Sequence, residues 1–109
     1  MTIPVWKARE IAAKLEDPEY ARGFGEEYAK TAIGLLLAKA RTARHMTQSQ
    51  LAERLGVRQS YVAKLESGEA NPTVGRIGQI MGILGYRLSL DAEEWAMDEA
   101  GTPIRARPW

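Results

Sequence analysis

The 109-residue sequence contains no cysteine and only one histidine, His45. A chain without cysteine can form no disulfide bond and has no thiolate nucleophile. Zinc sites need several clustered cysteine and histidine ligands, so a single histidine predicts no metal site. The sequence also lacks a glycine-rich phosphate-binding loop and a matching pair of nucleophile and base. We therefore expect no cofactor and no catalytic centre, and the protein is predicted not to be an enzyme.

Long apolar segments are missing as well. No run approaches the roughly 20 apolar residues that a membrane-spanning helix needs, and the N-terminus lacks the apolar region of a signal peptide. We therefore expect no contact with a membrane and a cytoplasmic location. The hydrophobic content of 45% is ordinary for a globular domain.

The net charge is only +1, but the charges are unevenly distributed. Residues 41–90 carry seven basic and three acidic side chains, whereas residues 91–109 carry two basic and five acidic ones. Clustered positive charge suits a surface that contacts phosphate groups. A nucleic-acid-binding surface is therefore expected within residues 41–90.

The segment Met46–Gly68 has the pattern of two short helices joined by a tight turn. Thr47 and Gln50 match the T-x-x-Q capping box that begins a helix. Gly56 can end that helix, because a residue without Cβ adopts the left-handed conformation without strain. Gly68 can end the second helix in the same way. The pattern predicts a helix-turn-helix.

This motif resembles the phage-repressor (Cro/CI, or XRE-type) branch of the helix-turn-helix proteins. The residues that carry the resemblance are Thr47, Gln48, Leu51, Ala52, Glu53, Leu55, Gly56, Val57, Gln59, Ser60, Val62, Leu65, Glu66 and Gly68. The resemblance implies an all-α, five-helix, lambda-repressor-like domain that binds double-stranded DNA and regulates transcription.

In that family the second helix of the motif lies in the major groove. By resemblance, the residues that contact bases are Gln59, Ser60 and Lys64. Those that contact phosphates are Gln48, Arg58, Tyr61, Asn71, Thr73 and Arg76. Arg41 and Glu66 are implied to form an internal ion pair that orients the recognition helix. The alternative is that the outward residues form only a solvated face.

Residues 1–25 are expected to form a helical extension. The segment Ile3–Glu16 has amphipathic spacing, and Asp17-Pro18 is a typical helix start. Gly23 and Gly25 are expected to interrupt the helix that follows. Glu26–Arg44 would then be the first long helix of the domain formed by residues 26–92. The side chains predicted to face its core are Ile33, Leu36, Leu37 and Ala40.

A further helix is predicted from Asn71-Pro72-Thr73 to Leu84. Its glycines lie on one side of the helix: Gly75, Gly78 and Gly82. Either another backbone approaches this side closely, or a well-packed helix tolerates the glycines. Gly85 is expected to end this helix. His45, which follows the predicted helix Glu26–Arg44, is expected to adopt a left-handed conformation.

Tyr86–Leu90 alternates apolar and polar residues, which predicts a half-buried strand. A single strand leaves its backbone groups without partners. We therefore expect this strand to pair with its copy in a homodimer. The predicted dimer-interface residues are Tyr86, Leu88 and Leu90. Ala92–Ala100 is expected to add a short acidic helical turn. Residues 93–109 together are assigned as an acidic turn and tail that follow the domain.

Four features follow one another along residues 17–92: Asp17-Pro18-Glu19-Tyr20 in the extension, the helix-turn-helix, the loop Glu69-Ala70-Asn71-Pro72-Thr73, and Leu84-Gly85 followed by the short strand. This layout also resembles HigA-type antitoxins. This resemblance implies a dimeric repressor of its own operon, acting on a pseudo-palindromic operator, that also silences a RelE-like, mRNA-cutting toxin. The candidate toxin-binding residues in the extension are Val5, Trp6, Ile11, Leu15, Tyr20 and Phe24. A packed extension is the alternative role of that segment. A stand-alone or phage-type regulator without a toxin partner is the alternative function.

Overall fold

The computed structural model describes residues 4–95 and is all-helical over that range. The helices are α1 (Val5–Lys14), α2 (Pro18–Ala43), α3 (Gln48–Leu55), α4 (Gln59–Ser67) and α5 (Val74–Ile83). Backbone contacts divide the described residues into two units, one made of residues 4–25 and 91–95 and the other of Glu26–Leu90. The all-α prediction is confirmed for the described residues. Of their five helices, α1 lies in the predicted extension, so the predicted domain from residue 26 onwards contains most of α2 and all of α3, α4 and α5.

The Glu26–Leu90 unit encloses one hydrophobic core. Its buried members are Leu37, Ala40, Leu51, Ala52, Val62, Leu65, Ile77, Ile80, Met81 and Leu84. They come from α2, α3, α4, α5 and the residue that follows α5, because each helix carries apolar side chains at helical spacing on one side. α3 packs against both α4 and α5. This core holds the two helices of the predicted motif at a fixed angle.

Local capping signals determine where α3 and α4 end. The Thr47 side chain accepts a hydrogen bond from the Gln50 backbone, and the Gln50 side chain accepts one from the Thr47 backbone, so the predicted capping box is confirmed. Gly56 ends α3 at φ 69°, and Gly68 ends α4 at φ 81°. His45 is also left-handed, at φ 57°. The chain can therefore turn sharply on both sides of α3.

The predicted break at Gly23 and Gly25 is wrong, because α2 runs without interruption from Pro18 to Ala43. Each glycine costs up to about 1 kcal/mol relative to alanine in a helix. Tyr20 and Phe24, one turn apart, stack with ring centroids 6.0 Å apart and so support the helix across Gly23. The backbone hydrogen bonds of a long helix and this ring contact together outweigh the glycine cost.

Residues 86–90 form no strand in the single chain. Tyr86 and Leu88 instead pack against the core of their own unit, while Leu90 remains 68% exposed. A strand needs a neighbouring strand for its ladder, and residues 4–95 supply none. The helical turn predicted over Ala92–Ala100 is not present at residues 92–95, and its remainder lies outside the described residues.

The three glycines of α5 do not mark a close backbone approach by any part of residues 4–95. A Cβ added at Gly75, Gly78 or Gly82 would meet nothing within 4 Å. The close approach is instead at Gly34 of α2, which is buried. Leu36, which was predicted to face the core, is 40% exposed. The buried residues of α2 are instead Gly34, Leu37 and Ala40, which share one side of the helix.

The other unit contains α1 and the start of α2. Ala8 is its buried apolar residue, at 4% exposure. An aromatic cluster joins the segments of this unit, because Phe24 contacts Tyr20 by stacking and Trp95 edge-on, at 4.9 Å between ring centroids. These rings give the short unit an apolar centre of its own.

Candidate nucleic-acid interface

The outward side of α4 carries the residues predicted to contact bases. Val62 and Leu65 are buried in the core, and helical spacing turns Gln59, Ser60 and Lys64 away from it. These three side chains are exposed. Within residues 4–95, no hydrogen bond, ion pair or ring contact engages the side chains of Ser60 and Lys64. This side therefore presents an amide, a hydroxyl and an ammonium group to solvent.

Gln59 is held in place by the first residue of α3. Its Nε2 donates a hydrogen bond to Oε1 of Gln48 at 2.7 Å. The Nε2 of Gln48 in turn donates to Oε1 of Glu66 at 3.1 Å. Gln48 was predicted only as a phosphate contact, and its bridging position was missed. The sequence signal for this contact was that each of the two motif helices begins with a glutamine, Gln48 in α3 and Gln59 in α4.

Arg41 and Glu66 form an ion pair between α2 and the end of α4. Nε of Arg41 donates to Oε2 of Glu66 at 2.7 Å, and Nη2 donates to Oε1 at 2.9 Å. The third donor, Nη1, reaches the Met46 carbonyl at 2.7 Å. Only 14% of the Arg41 side chain and 7% of the Glu66 side chain are exposed. The pair thus ties α2, α4 and the segment before α3 together.

Each member of this ion pair favours the ionised form of the other. Desolvation raises the pKa of Glu66, but the hydrogen bonds from Arg41 and Gln48 outweigh it and hold that pKa below its ordinary value. The hydrogen bond to Glu66 raises the pKa of Arg41. Both groups therefore remain charged over the neutral range, and the carboxylate acts only as an acceptor.

Gly34 brings the backbone of α2 directly against the end of α4. A Cβ at this position would lie 2.6 Å from the carbonyl oxygen of Glu66 and 2.8 Å from that of Leu65. Only glycine allows this approach without a backbone shift. Sequence reasoning missed this role, because a glycine inside a helix pattern shows no partner by itself.

The candidate phosphate contacts lie around the two motif helices. Arg58 precedes α4 and makes no side-chain capping bond, as its side chain type predicts. Thr73 caps α5 by accepting from the Arg76 backbone. The Arg76 guanidinium lies 5.8 Å from the ring centroid of Tyr61. Asn71 Nδ2 makes a long contact of 3.5 Å to Glu26.

Arg44, counted above among the basic residues of this region, has an internal role. Its Nε donates to the Leu84 carbonyl at 2.8 Å, at the end of α5. Its guanidinium stacks 4.3 Å from the ring centroid of Tyr86. The cation therefore satisfies a terminal carbonyl of α5 and fixes the first residue of the predicted strand.

The candidate toxin-binding residues divide by exposure. Trp6 is 67% exposed, and the others are half-buried within their own unit. The half-buried ones are Val5, Ile11, Leu15, Tyr20 and Phe24. Trp6 is thus the candidate that offers the most free apolar surface to a partner.

Two other kinds of site are absent from the described residues. Residues 4–95 contain no group of three acidic or histidine side chains placed to hold a metal ion. None of the helices in this range is long and apolar enough to cross a bilayer.

Comparison with known proteins agrees with the geometry of α3 and α4. A helix-turn-helix family model matches residues 37–90, which include both motif helices, α5 and the segment after it. No curated protein matches the chain. Over residues 37–90 the chain is therefore similar to the helix-turn-helix family, which is a family of DNA-binding regulators of transcription that are generally not enzymes.

Proposed function

We propose that the protein is a sequence-specific transcriptional repressor that reads DNA with the exposed side of α4. The observation that carries this proposal is the orientation of Gln59, whose amide is held by Gln48 beside the exposed Ser60 and Lys64. A glutamine amide can pair with adenine through two hydrogen bonds, and a lysine can reach O6 and N7 of guanine. The three side chains together can read adjacent base pairs.

Phosphate contacts would position the helix on the duplex. Arg58, directly before α4, and Arg76 of α5 supply cations, and the Arg76 guanidinium lies 5.8 Å from the ring centroid of Tyr61 in α4. Such contacts give affinity without sequence information and weaken as salt rises. In this proposal, polar contacts to the DNA phosphates also come from Gln48, Asn71 and Thr73.

The test is selection of bound duplexes from a random DNA pool by the full chain. The expected result is an inverted repeat whose half-site centres are about 34–36 Å apart, one helical turn. Recovery of unrelated sequences, bound no better than the starting pool, would contradict sequence-specific repression.

The homodimer implied by an inverted repeat is proposed to form through Tyr86–Leu90. Tyr86 and Leu88 pack inward, so pairing would use the backbone of this segment and the exposed Leu90. Ser89 is exposed, so Ser89→Pro removes one backbone N–H without touching the core. Sedimentation should show monomers for Ser89→Pro and dimers for the control Ser89→Ala. A Ser89→Pro chain that remains dimeric places the interface elsewhere.

Within this function we propose the narrower role of an antitoxin that binds a RelE-like toxin through residues 1–25. The resemblance to HigA-type antitoxins and the exposed Trp6 support it. The alternative is a stand-alone or phage-type regulator without a toxin partner, and the family match over residues 37–90 is compatible with both roles. Co-purification with the product of the neighbouring gene separates the two: a small basic protein that binds the chain supports the antitoxin, and a lone gene supports the regulator.

A further inference from the structure

We propose that Arg44 is a positioning residue for the segment Tyr86–Leu90: it fixes the direction in which this segment leaves the domain, and thereby the distance between the two DNA-reading helices of a dimer. The inference rests on the proposed function, in which Tyr86–Leu90 pairs between two copies bound to an inverted repeat. It concerns the spacing of the half-sites and not the bases within each of them.

The chain turns sharply between α5 and this segment. Gly85 is left-handed, at φ 84°. The N–H of Tyr86 donates to the Met81 carbonyl at 2.8 Å, and the N–H of Gly85 donates to the Gly82 carbonyl at 3.0 Å. These two hydrogen bonds are the Schellman ending of a helix. They leave the carbonyl of Leu84 to take its partner from another part of the chain.

Arg44 supplies this partner. Its Nε donates to the Leu84 carbonyl at 2.8 Å, and its guanidinium lies 4.3 Å from the ring centroid of Tyr86. A Cβ added at Gly85 would lie 3.4 Å from Nη2 of Arg44, so the guanidinium lies beside a residue that has no side chain. One cation therefore contacts three consecutive residues at the point where the segment begins.

These contacts differ in kind from the other contacts of the segment. Tyr86 and Leu88 also pack against the hydrophobic core. Apolar packing is non-directional, so it keeps the segment close to the domain without fixing how the backbone is turned. A hydrogen bond depends on its angle, and a guanidinium must lie over the face of the ring. Arg44 therefore fixes the orientation of the backbone groups that would pair with a second copy.

The end of α2 connects this segment to the DNA-reading helix. Arg41, three residues before Arg44, holds Glu66 in the last turn of α4 through two hydrogen bonds. Arg44 directly follows α2 and holds the start of Tyr86–Leu90. In a dimer, the separation of the two α4 helices depends on how each one is placed relative to its own pairing segment. The two arginines set this placement from one turn of the chain.

The test uses full-length chains and the inverted repeat selected by the wild type, together with duplexes whose half-sites are moved by one base pair. Such a step changes the separation by about 3.4 Å and rotates one half-site by about 35° around the DNA axis. Arg44→Met should lower the preference for the selected spacing about tenfold, the factor that corresponds to about one hydrogen bond. Affinity for a duplex with a single half-site should remain, because α4 keeps its contact with Arg41.

Tyr86→Leu is a second variant that gives the answer even if Arg44→Met folds poorly. It removes the ring beneath the guanidinium and keeps an apolar side chain against the core. The same loss of spacing preference is expected. The inference is overturned if either variant, once folded, keeps the full preference, or if its affinity for the single half-site falls as much as its affinity for the inverted repeat.

Arg54→Met is the matched control for the loss of a positive charge. Arg54 is an exposed residue of α3, and the substitution changes the net charge by the same amount as Arg44→Met. It should keep the spacing preference, and an equal loss in this variant would overturn the positioning role of Arg44. Wild-type protein that sediments as a monomer, or that binds all spacings equally, overturns the proposed dimer itself.

Discussion

Arg41 and Glu66 lie 25 residues apart in the chain and meet through two hydrogen bonds of 2.7 and 2.9 Å. The contact joins the long helix α2 to the last turn of the recognition helix α4. It also explains why a helix of nine residues can hold a fixed position on the surface of a small domain.

Removing one member of this pair should destabilise the protein strongly. In Arg41→Ala, the Glu66 carboxylate would remain nearly buried without its cation, and the Met46 carbonyl would lose its donor. Breaking such a pair costs about 3–5 kcal/mol of unfolding free energy. Urea denaturation measures the loss. The matched control is Glu27→Ala, because the side chain of Glu27 is 69% exposed and its ion pair with Lys30 should contribute under about 1 kcal/mol. Equal effects of both variants would contradict the structural role of the buried pair.

The stability of the protein should fall at acid pH in a way that depends on Glu66. Because the pKa of Glu66 is lower in the folded state than its ordinary value of 4.5, the ionised group stabilises the fold at all pH values above that. This contribution is lost as the pH falls through the lowered folded-state pKa. The melting temperature of wild type should therefore drop more steeply than that of Glu66→Gln between roughly pH 5 and pH 2. Parallel curves would show that Glu66 does not control this limb, and Glu53→Gln, at an exposed carboxylate, serves as the control.

Two glycine substitutions in helices should have opposite effects. Gly34→Ala places a methyl group against the carbonyl oxygens of Glu66 and Leu65 and should destabilise the fold by about 1–3 kcal/mol. Gly78→Ala meets open space and should stabilise it by up to about 1 kcal/mol through helix propensity. Thermal melting compares them directly. A harmless Gly34→Ala would mean that α2 and α4 can separate without cost.

Specific and non-specific DNA contacts should respond differently to mutation. Gln59→Ala should weaken operator binding by about 1–3 kcal/mol and relax the preference at one base pair. Arg58→Ala should weaken binding to all sequences alike and reduce the salt dependence by about one unit per subunit. Fluorescence anisotropy at several salt concentrations measures both. If Gln59→Ala weakened operator and random DNA equally, Gln59 would not contact a base.

Deleting the extension should abolish toxin binding and leave DNA binding unchanged. A chain that begins at Gly25 should keep its melting temperature and operator affinity and should lose binding to the toxin. Trp6→Ala, at the exposed ring, should weaken toxin binding without lowering stability. A large fall in stability on deletion would instead indicate a packed extension. Toxin binding that survives deletion would place the toxin site elsewhere.

The features that could be predicted from sequence are those decided within a few residues. The capping box of Thr47 and Gln50 and the left-handed Gly56 and Gly68 depend only on neighbouring backbone groups. The Gly34 approach and the exposure of Leu36 depend on where α4 lies, and no local pattern contains that information. The same limit applies to Gln48, since its partners Gln59 and Glu66 are 11 and 18 residues away.

The brevity of α4 has a consequence for transplanting its chemistry. Helices shorter than about 12–15 residues are marginal in water, and this one also begins without a side-chain cap at Arg58. A synthetic peptide with the sequence of residues 58–68 would therefore be mostly unstructured in water. Grafting the exposed side of α4 onto another scaffold would therefore also require the residues that support it, which are Gly34 and Arg41 of α2 and Gln48 of α3.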